Sequence, residues 1–389
     1  MNFSIMVKTK TMKTVNKSYK YRIYPNKEQQ DILEFNMGSA RFVFNHVKAR
    51  YELYKKQATE LGLKPVYANR KLFNVILNDL KEQYPFLKEA NSTALQKAYD
   101  NLINAYKMVG KAGNGWVKFK SRKNPVQSFR TLNVKIIDGK LKLPKIKSLI
   151  QMKYSREVQG DILTATISRN NSNQYFVSIN VKNSPVKQLE KTNQRVGIDL
   201  GLKDLATFSN GFKTGKIHLK EVDRKIRRQN QILSKKVKNG CNWIKAKTKL
   251  NQLYQRKKDI INDFLHKTTT KIVRDFDEIY VGNVNSRLGL RNKYLARTTA
   301  DQHWFEFKRQ LEYKSDWYDK HFEVVDEKYT SKTCSNCGYI TEVLELNIRK
   351  WICPECNKEH DRDVNAAQNI LTVGTTGLAF GKTNNKLVD

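Results

Sequence analysis

Apolar residues recur at helical spacing in the first third of the chain. They begin after Asn26, which stands three residues before Gln29 as in a capping box. Two further segments, near residues 68–82 and 92–109, have the same period. The pattern predicts a helical lobe over residues 27–109.

After this lobe the apolar period changes to two, which is typical of strands. Asp138 and Gly139 lie between two alternating runs, and Asp-Gly is a strong hairpin signal. A second pair of alternating runs flanks an Asn-rich turn. We expect a β-barrel or sheet formed by residues 18–26 and 110–185, into which the helical lobe is inserted.

A polar segment, residues 184–194, contains Pro185 and is predicted to be a linker. The chain beyond it alternates buried-strand and helix patterns, so its strands are expected to be parallel neighbours. The predicted elements are a strand ending at Asp199, two helices over 221–274 broken at Asn239-Gly240, a strand over 278–281, a helix that begins near Trp304 and a strand over 322–325.

Three carboxylates lie at the ends of these predicted elements. Asp199 ends one strand, Glu327 closely follows another, and Asp363 opens the last helix. Taken alone, an aspartate in a turn or a glutamate at a solvated strand end would be ordinary. Three converging carboxylates, however, can hold two divalent ions such as Mg²⁺ over a phosphodiester. Asp361 is expected to cap the last helix, while Asp204 and Asp326 are weaker candidates for metal binding.

Four of the five cysteines are arranged in two Cys-x-x-Cys pairs, a spacing typical of a structural zinc site. We expect one Zn²⁺ to be bound in a zinc ribbon over residues 330–359 by Cys334, Cys337, Cys353 and Cys356. His360 is adjacent, but four thiolates already complete a tetrahedron. With only Cys241 left over, the cysteines indicate a reducing compartment rather than a disulfide framework.

The charge of the chain favours a nucleic-acid partner. Lysine and arginine number 73 against 37 aspartates and glutamates, a formal net charge of +36. Residues 116–130 interleave aromatic and basic side chains, which is typical of a nucleic-acid surface, although a solvated loop would have a similar composition. The predicted contacts there are Lys118, Phe119, Lys120, Arg122, Lys123 and Arg130.

The sequence predicts neither a secretion signal nor a membrane partner. The first 17 residues are polar and lysine-rich, and no later segment approaches the ~18 consecutive apolar residues of a membrane span. We therefore expect a cytoplasmic protein, associated with the nucleoid if the source is prokaryotic.

Several motifs together resemble the TnpB family, the transposon-encoded RNA-guided DNA endonucleases related to type V CRISPR effectors and to Fanzor proteins. They run almost end to end and include YRIYPNKEQ, RFVFN, FKSRKNPVQSF, GIDLG, YTSKTCSNCG and HDRDVNAAQNIL. GIDLG alone is a weak match, but the last two motifs together are highly specific.

The resemblance implies an α/β multidomain fold, an activity and partners. A RuvC-like nuclease domain of RNase H fold would cover residues 195–329 and 360–373, interrupted by the zinc ribbon. The sheet would be a wedge-like β-barrel domain and the helices a recognition lobe, while residues 374–389 would form a loose tail. The protein would bind a guide RNA, with one protein per guide, and cleave matching double-stranded DNA with Mg²⁺.

The sequence departs from the family at one catalytic position. Most members have a glutamate at the end of the strand that here runs to Val281, whereas this chain has Gly282. Either Glu327, on a neighbouring strand roughly 4.8 Å away, has taken over the role, or the activity is lost and the protein is a guided repressor. We favour relocation, because Asp199 and Asp363 are both intact. An unguided zinc-ribbon DNA-binding factor is a third hypothesis.

Overall fold

The computed structural model describes residues 12–111, 113–284, 303–341 and 348–377. The chain divides into two compact units. The N-terminal unit comprises residues 14–185 and 247–251, and the C-terminal unit comprises residues 1–13, 186–246 and 252–389.

The N-terminal unit combines four helices with a five-stranded sheet in the order β2-β6-β7-β1-β5 and a separate β3-β4 hairpin. In chain order its elements are β1 (Lys13–Tyr24), α1 (Lys27–Glu60), α2 (Arg70–Gln83), α3 (Phe86–Glu89), α4 (Ser92–Met108), β2 (Gln127–Thr131), β3 (Lys135–Ile137), β4 (Lys140–Lys142), β5 (Gln151–Met152), β6 (Asp161–Arg169) and β7 (Tyr175–Val186).

Local sequence signals were good guides in this unit. Asn26 and Gln29 form the predicted capping box at the start of α1. Asp138 and Gly139 both have positive φ in the β3-β4 turn, as a two-residue hairpin requires, which confirms the predicted hairpin. The alternating runs on either side of the Asn-rich turn pair as antiparallel β6 and β7.

The helices and the sheet of this unit share one core. Apolar side chains of α1 and α4, such as Leu33 and Leu95, belong to the same buried cluster as Ile167 and Val177 of the sheet. Within the described residues β2 and β5 are the two edges of the sheet, so the predicted closed barrel is not confirmed. The finer division into a lobe and a sheet domain stays a prediction.

The predicted linker begins too early. β7 continues to Val186, and Ser184 is fully buried with its hydroxyl 3.1 Å from the Tyr19 hydroxyl. This polar residue therefore belongs to the core because Tyr19 of β1 satisfies its hydrogen bond.

The C-terminal unit is built on a four-stranded sheet in the order β11-β10-β8-β9, with a small β12-β13 ribbon. In chain order its elements are β8 (Arg195–Asp199), β9 (Thr207–Phe208), α5 (Lys220–Ser234), α6 (Cys241–Asp275), β10 (Glu278–Gly282), α7 (Trp304–Tyr318), β11 (His321–Val325), β12 (Lys350–Ile352), β13 (Glu359–Asp361) and α8 (Arg362–Thr376).

The predicted parallel arrangement is confirmed, because β10 pairs in parallel with both β8 and β11. Its residues Ile279 and Val281 are completely buried, as expected of a central strand that is covered on both faces. α7 buries Trp304, Phe307 and Leu311, the side chains predicted to form its apolar stripe.

The last helix runs farther than predicted. α8 continues to Thr376 and ends at Gly377, whose φ of 70° is typical of a helix C-terminus, so Gly374 is helical rather than part of a tail. Residues 378–389, with the rest of the predicted tail, lie outside the described residues, as does the predicted Ser/Arg/Asn-rich loop within 285–302. In the part of the chain that the structure describes, every helix is too short or too polar to span a bilayer.

Candidate active site

Asp199 lies where β8 ends, under the helix that carries Asp363. A Cβ atom on Gly197 would lie 2.1 Å from the Ala367 carbonyl oxygen and 2.5 Å from the Leu371 nitrogen. Because glycine has no side chain, α8 packs directly on the backbone of β8. This close packing brings the first turn of α8, with Asp363, to the carboxyl end of the strand.

Glu327 fills the space above Gly282. Gly282 is paired with Val325, the last residue of β11, and the Asn283 nitrogen donates to the Val325 oxygen at 3.0 Å. A Cβ on Gly282 would lie only 2.9 Å from Glu327 Oε2 and 3.0 Å from Ile370 Cδ1. The Glu327 carboxylate therefore lies where a side chain at position 282 would begin.

The three carboxylates interact electrostatically. Burial, followed by the negative charges of Asp363 and Glu327, raises the pKa of Asp199 to about 7, against the opposing charges of Arg362 and Arg349. The residue Asp199 as a whole is partly exposed. The burial that raises the pKa is that of its carboxyl group. Burial also raises the pKa of Glu327, with Lys308 opposing the rise.

Basic side chains accompany two of the acids. Arg349 Nη1 lies 3.3 Å from Asp363 Oδ1. Lys308 Nζ donates to Asn283 Oδ1 at 3.3 Å, and its charge acts on Glu327. Among the described residues, only the four cysteines form a set of three or more possible ligands whose donor atoms all lie within 4.8 Å of one another. The acids are thus spread more widely than ligands closed around a single ion.

Asp361 has the capping role that the sequence predicted. Its Oδ1 accepts hydrogen bonds from the backbone nitrogens of Asp363 and Val364, and Lys213 Nζ contacts its Oδ2 at 2.8 Å. Asp361 is therefore occupied with the helix N-terminus and Lys213, whereas the charge of Asp363 acts on Asp199.

The four predicted zinc ligands meet in one place. Two sulfur pairs, Cys334 with Cys356 and Cys337 with Cys353, are each separated by 3.6 Å. Both knuckles close with the same backbone pattern, since Gly338 N donates to Cys334 O and Asn357 N donates to Cys353 O, each at 2.9 Å.

His360 contacts this cluster, which the sequence did not predict. Its Nε2 lies 3.0 Å from Cys334 Sγ and its ring packs against Trp351 at a centroid distance of 4.9 Å. A ring nitrogen at this distance from a sulfur can donate a hydrogen bond to a thiolate, so the contact fits a histidine that bonds to Cys334.

The residues predicted to contact nucleic acid lie in the N-terminal unit, and most of them are exposed to solvent. The exposed members are Lys118, Phe119, Arg122, Lys123 and Arg130. Lys120 differs, because its backbone is bound on both sides by the Asn45 amide and its Nζ lies 4.1 Å from the centroid of the Phe44 ring. Burial lowers the pKa of Lys120. This lysine packs against α1 instead of facing solvent with the others.

The sequence also did not predict a role for two side-chain amides of α8. Asn365 and Asn369 are almost completely buried and donate to backbone carbonyls between Glu327 and the first cysteine. Their spacing of four residues, which puts both on one helix face, was the available signal.

Comparisons with known proteins cover nearly the whole chain. Family models described as "Helix-turn-helix domain", "Probable transposase" and "Cas12f1-like, TNB domain" match residues 12–59, 178–290 and 304–370. A Streptomyces pristinaespiralis protein named "Putative RNA-guided DNA endonuclease" is 31% identical over 95% of this chain and 92% of its own length. Escherichia coli "Putative RNA-guided DNA endonuclease InsQ" is 28% identical over 94% of each chain.

A solved Cas12f1 chain, from a complex with single guide RNA and target DNA, can also be superposed on the protein. It covers 92% of this chain and 98% of its own, with 14% identity and a TM-score of 0.48.

Proposed function

The chain belongs to the TnpB family of RNA-guided DNA endonucleases, and on that premise we propose that it binds a guide RNA and cleaves double-stranded DNA matched to it. The observation that carries the nuclease proposal is the position of Glu327. Its carboxylate occupies the space above Gly282 and acts on Asp199 together with Asp363. This supports relocation of the family's usual glutamate rather than loss of the active site.

We assign Asp199, Glu327 and Asp363 as the ligands of Mg²⁺. The donor set fits divalent cations, because carboxylate oxygens are the ligands that Mg²⁺ prefers. The charges of Asp363 and Glu327 both act on Asp199, which supports one shared site for the three acids. When bound, two Mg²⁺ ions would supply an activated water and stabilise the leaving oxygen. The spread of the three acids suits two ions better than one.

In the ion-free protein, a proton and two basic side chains offset the negative charge of the three acids. Because the pKa of Asp199 is raised to about 7, a large share of the molecules carry a proton on this carboxyl group near neutral pH, and that proton must leave when a cation binds. Arg349 and Lys308 balance the charges of Asp363 and Glu327 in the ion-free protein. Since Arg349 is half-exposed, it can turn toward a phosphate once Asp363 binds metal.

For the cysteine cluster we propose one structural Zn²⁺. Four sulfurs within 4.8 Å of one another and two matching knuckles fit a tetrahedral thiolate site. A closed Cys₄ set leaves no position open for chemistry, so the ion would hold the ribbon over residues 330–359 together. The surrounding residues 195–329 and 360–373 would form the RuvC-like nuclease domain, and residues 18–26, 27–109 and 110–185 the wedge domain with its recognition lobe.

The test is guided cleavage by the purified protein with its own co-purified RNA. We expect a discrete RNA species, and Mg²⁺-dependent cutting of a plasmid that carries the matching sequence. An Asp363→Asn protein prepared in the same way should bind the plasmid without cutting it. Guided binding with no cutting by the wild-type protein would identify a repressor, and the absence of any discrete RNA would identify an unguided DNA-binding factor.

A further inference from the structure

Two buried amides join α8 to the segment that follows Glu327. Asn365 and Asn369 are 1% and 2% exposed. The Asn369 Nδ2 donates to the carbonyl oxygens of Thr330 and Thr333 at 2.7 and 2.6 Å. Asn365 Nδ2 donates to the Thr333 oxygen at 2.7 Å, and its Oδ1 accepts from the Ser335 nitrogen at 2.9 Å. Each amide thus bonds to the backbone of the segment that follows β11.

The same backbone segment begins at Glu327 and ends at the cysteine cluster. Thr330 bonds to the Glu327 carbonyl through both its hydroxyl, at 2.8 Å, and its nitrogen, at 3.2 Å. Thr333 bonds in the same two ways to Tyr329 and directly precedes Cys334. Thr330 and Thr333 are 2% and 0% exposed, so these bonds are shielded from water.

This arrangement matters because Glu327 lies beyond the sheet. An acid at position 282 would be held by β10, which is paired on both sides. Glu327 follows the edge strand β11, whose last pairing is Val325 with Gly282. Beyond this last pairing, the Glu327 carbonyl accepts hydrogen bonds from Thr330, whose own carbonyl accepts one from Asn369.

We propose that Asn365 and Asn369 are positioning residues that fix Glu327 against Asp363, so that metal binding depends on how the cysteine ribbon is docked on α8. The inference rests on the proposed function. An acid within β10 would be held by strand pairing on both sides, so it should depend on these amides less than Glu327 does.

The test introduces Asn369→Leu in two forms of the protein, each purified with its RNA. One form has the native acids, and the other carries Gly282→Glu with Glu327→Ala, which returns the carboxylate to β10. Leucine has the same number and branching of side-chain heavy atoms as asparagine but donates no hydrogen bond. Thr372→Ala, at an exposed site on the same helix, is the matched control.

The readouts are Mn²⁺ affinity measured by calorimetry and zinc content measured by elemental analysis. With the native acids, Asn369→Leu should weaken Mn²⁺ binding about tenfold or more, the effect typical of lost support for metal ligands, while zinc content is retained. In the form with the acid on β10 the same substitution should change Mn²⁺ affinity less than about threefold, and Thr372→Ala should be neutral in both. Equal losses in the two forms, or none in either, would overturn the proposal.

A crystal structure of the Asn369→Leu protein also tests whether the amide positions Glu327. This test does not require that the Gly282→Glu, Glu327→Ala form binds Mn²⁺. Glu327 should leave the space above Gly282 while Asp199 and Asp363 stay in place, and an unmoved Glu327 would contradict the proposal. If the Mn²⁺ affinities behave as expected but the wild-type protein never cuts DNA, the positioning role stands and the nuclease function fails.

Discussion

Position 282 is a glycine, and Glu327 Oε2 lies 2.9 Å from the place where a Cβ atom would stand at that position. A side chain at position 282 would therefore require the end of the Glu327 side chain to shift. The glycine and the glutamate are therefore complementary, and a substitution at either position changes the environment of the other.

Replacing Glu327 with alanine should abolish guided cleavage, by about 100-fold or more, because a carboxylate that stabilises transition-state charge is removed. Binding of matched DNA should persist, since it rests on base pairing and phosphate contacts. Cleavage and gel-shift assays on the same preparation separate the two effects. Asp326→Ala, which removes the exposed neighbouring acid, is the control and should keep cleavage within about threefold of wild type. Equal losses from both substitutions would argue against a specific role for Glu327.

Divalent-ion affinity should rise with pH and level off above about 7, because the pKa of Asp199 is raised to that value and its proton must leave when an ion binds. The raised pKa also means that, between about pH 4 and 7, the folded ion-free protein holds a proton that the unfolded chain has released. The stability of the ion-free protein should therefore fall as pH rises from about 4 to 7.

Mn²⁺ titrations across about pH 5 to 8 measure this dependence, with at most a tenfold change per pH unit expected from one proton. Asp199→Asn should bind Mn²⁺ more weakly and lose most of the pH dependence. An affinity that is flat with pH in the wild-type protein would mean that Asp199 is already ionised when ions bind.

Among single residues, the acids and the cysteines could be predicted from the sequence, because strand ends and Cys-x-x-Cys spacing are local features. The basic side chains that accompany the acids could not be predicted in this way. Arg349, which lies between the two Cys-x-x-Cys pairs in the sequence, contacts Asp363, and the charge of Lys308 of α7 acts on Glu327, so only the folded chain brings these charges together.

Among the elements, those with long and regular patterns matched prediction best. The completely buried Ile279 and Val281 identify β10, and the capping box at Asn26 identifies the start of α1. The four residues of α3 are too few to show a helical period, and the end of β7 was hidden by Pro185. In both cases tertiary packing, rather than local pattern, decides the structure.

The packing of α8 on β8 gives a prediction at the element scale. Gly197→Ala should destabilise the protein by about 2 to 4 kcal/mol, since its Cβ would meet backbone atoms of the helix that cannot move aside. Chemical denaturation measures the effect. Gly115→Ala, where an added Cβ would meet nothing within 4 Å, is the control and should change stability by less than about 0.5 kcal/mol. Similar stabilities for the two variants would contradict direct contact between α8 and β8.

For the molecule as a whole, the net charge of +36 supports a polyanionic partner but does not say which basic residues meet it. The stretch from Trp116 to Arg130 is an example, since composition alone does not separate its exposed cations from the half-buried Lys120. The packing of Lys120 over Phe44 makes that distinction.

Arg122→Ala should weaken RNA binding and reduce its dependence on salt, because it removes an exposed cation that we expect to pair with phosphate. Lys120→Ala should instead lower the free energy of unfolding by about 1 kcal/mol, with little change in the salt dependence. Filter binding at several salt concentrations, together with thermal unfolding, tests both. An unchanged salt dependence for Arg122→Ala would remove this arginine from the nucleic-acid surface.

The measurement that tests the central claim most directly is the anomalous diffraction of Mn²⁺ in crystals of the protein with its guide RNA and a DNA target. Two peaks roughly 3.5 to 4 Å apart are expected, with oxygens of Asp199, Glu327 and Asp363 within about 2.2 Å of the ions. A site in which Asp199 and Asp363 bind Mn²⁺ while the Glu327 carboxylate faces away from both ions would contradict the account.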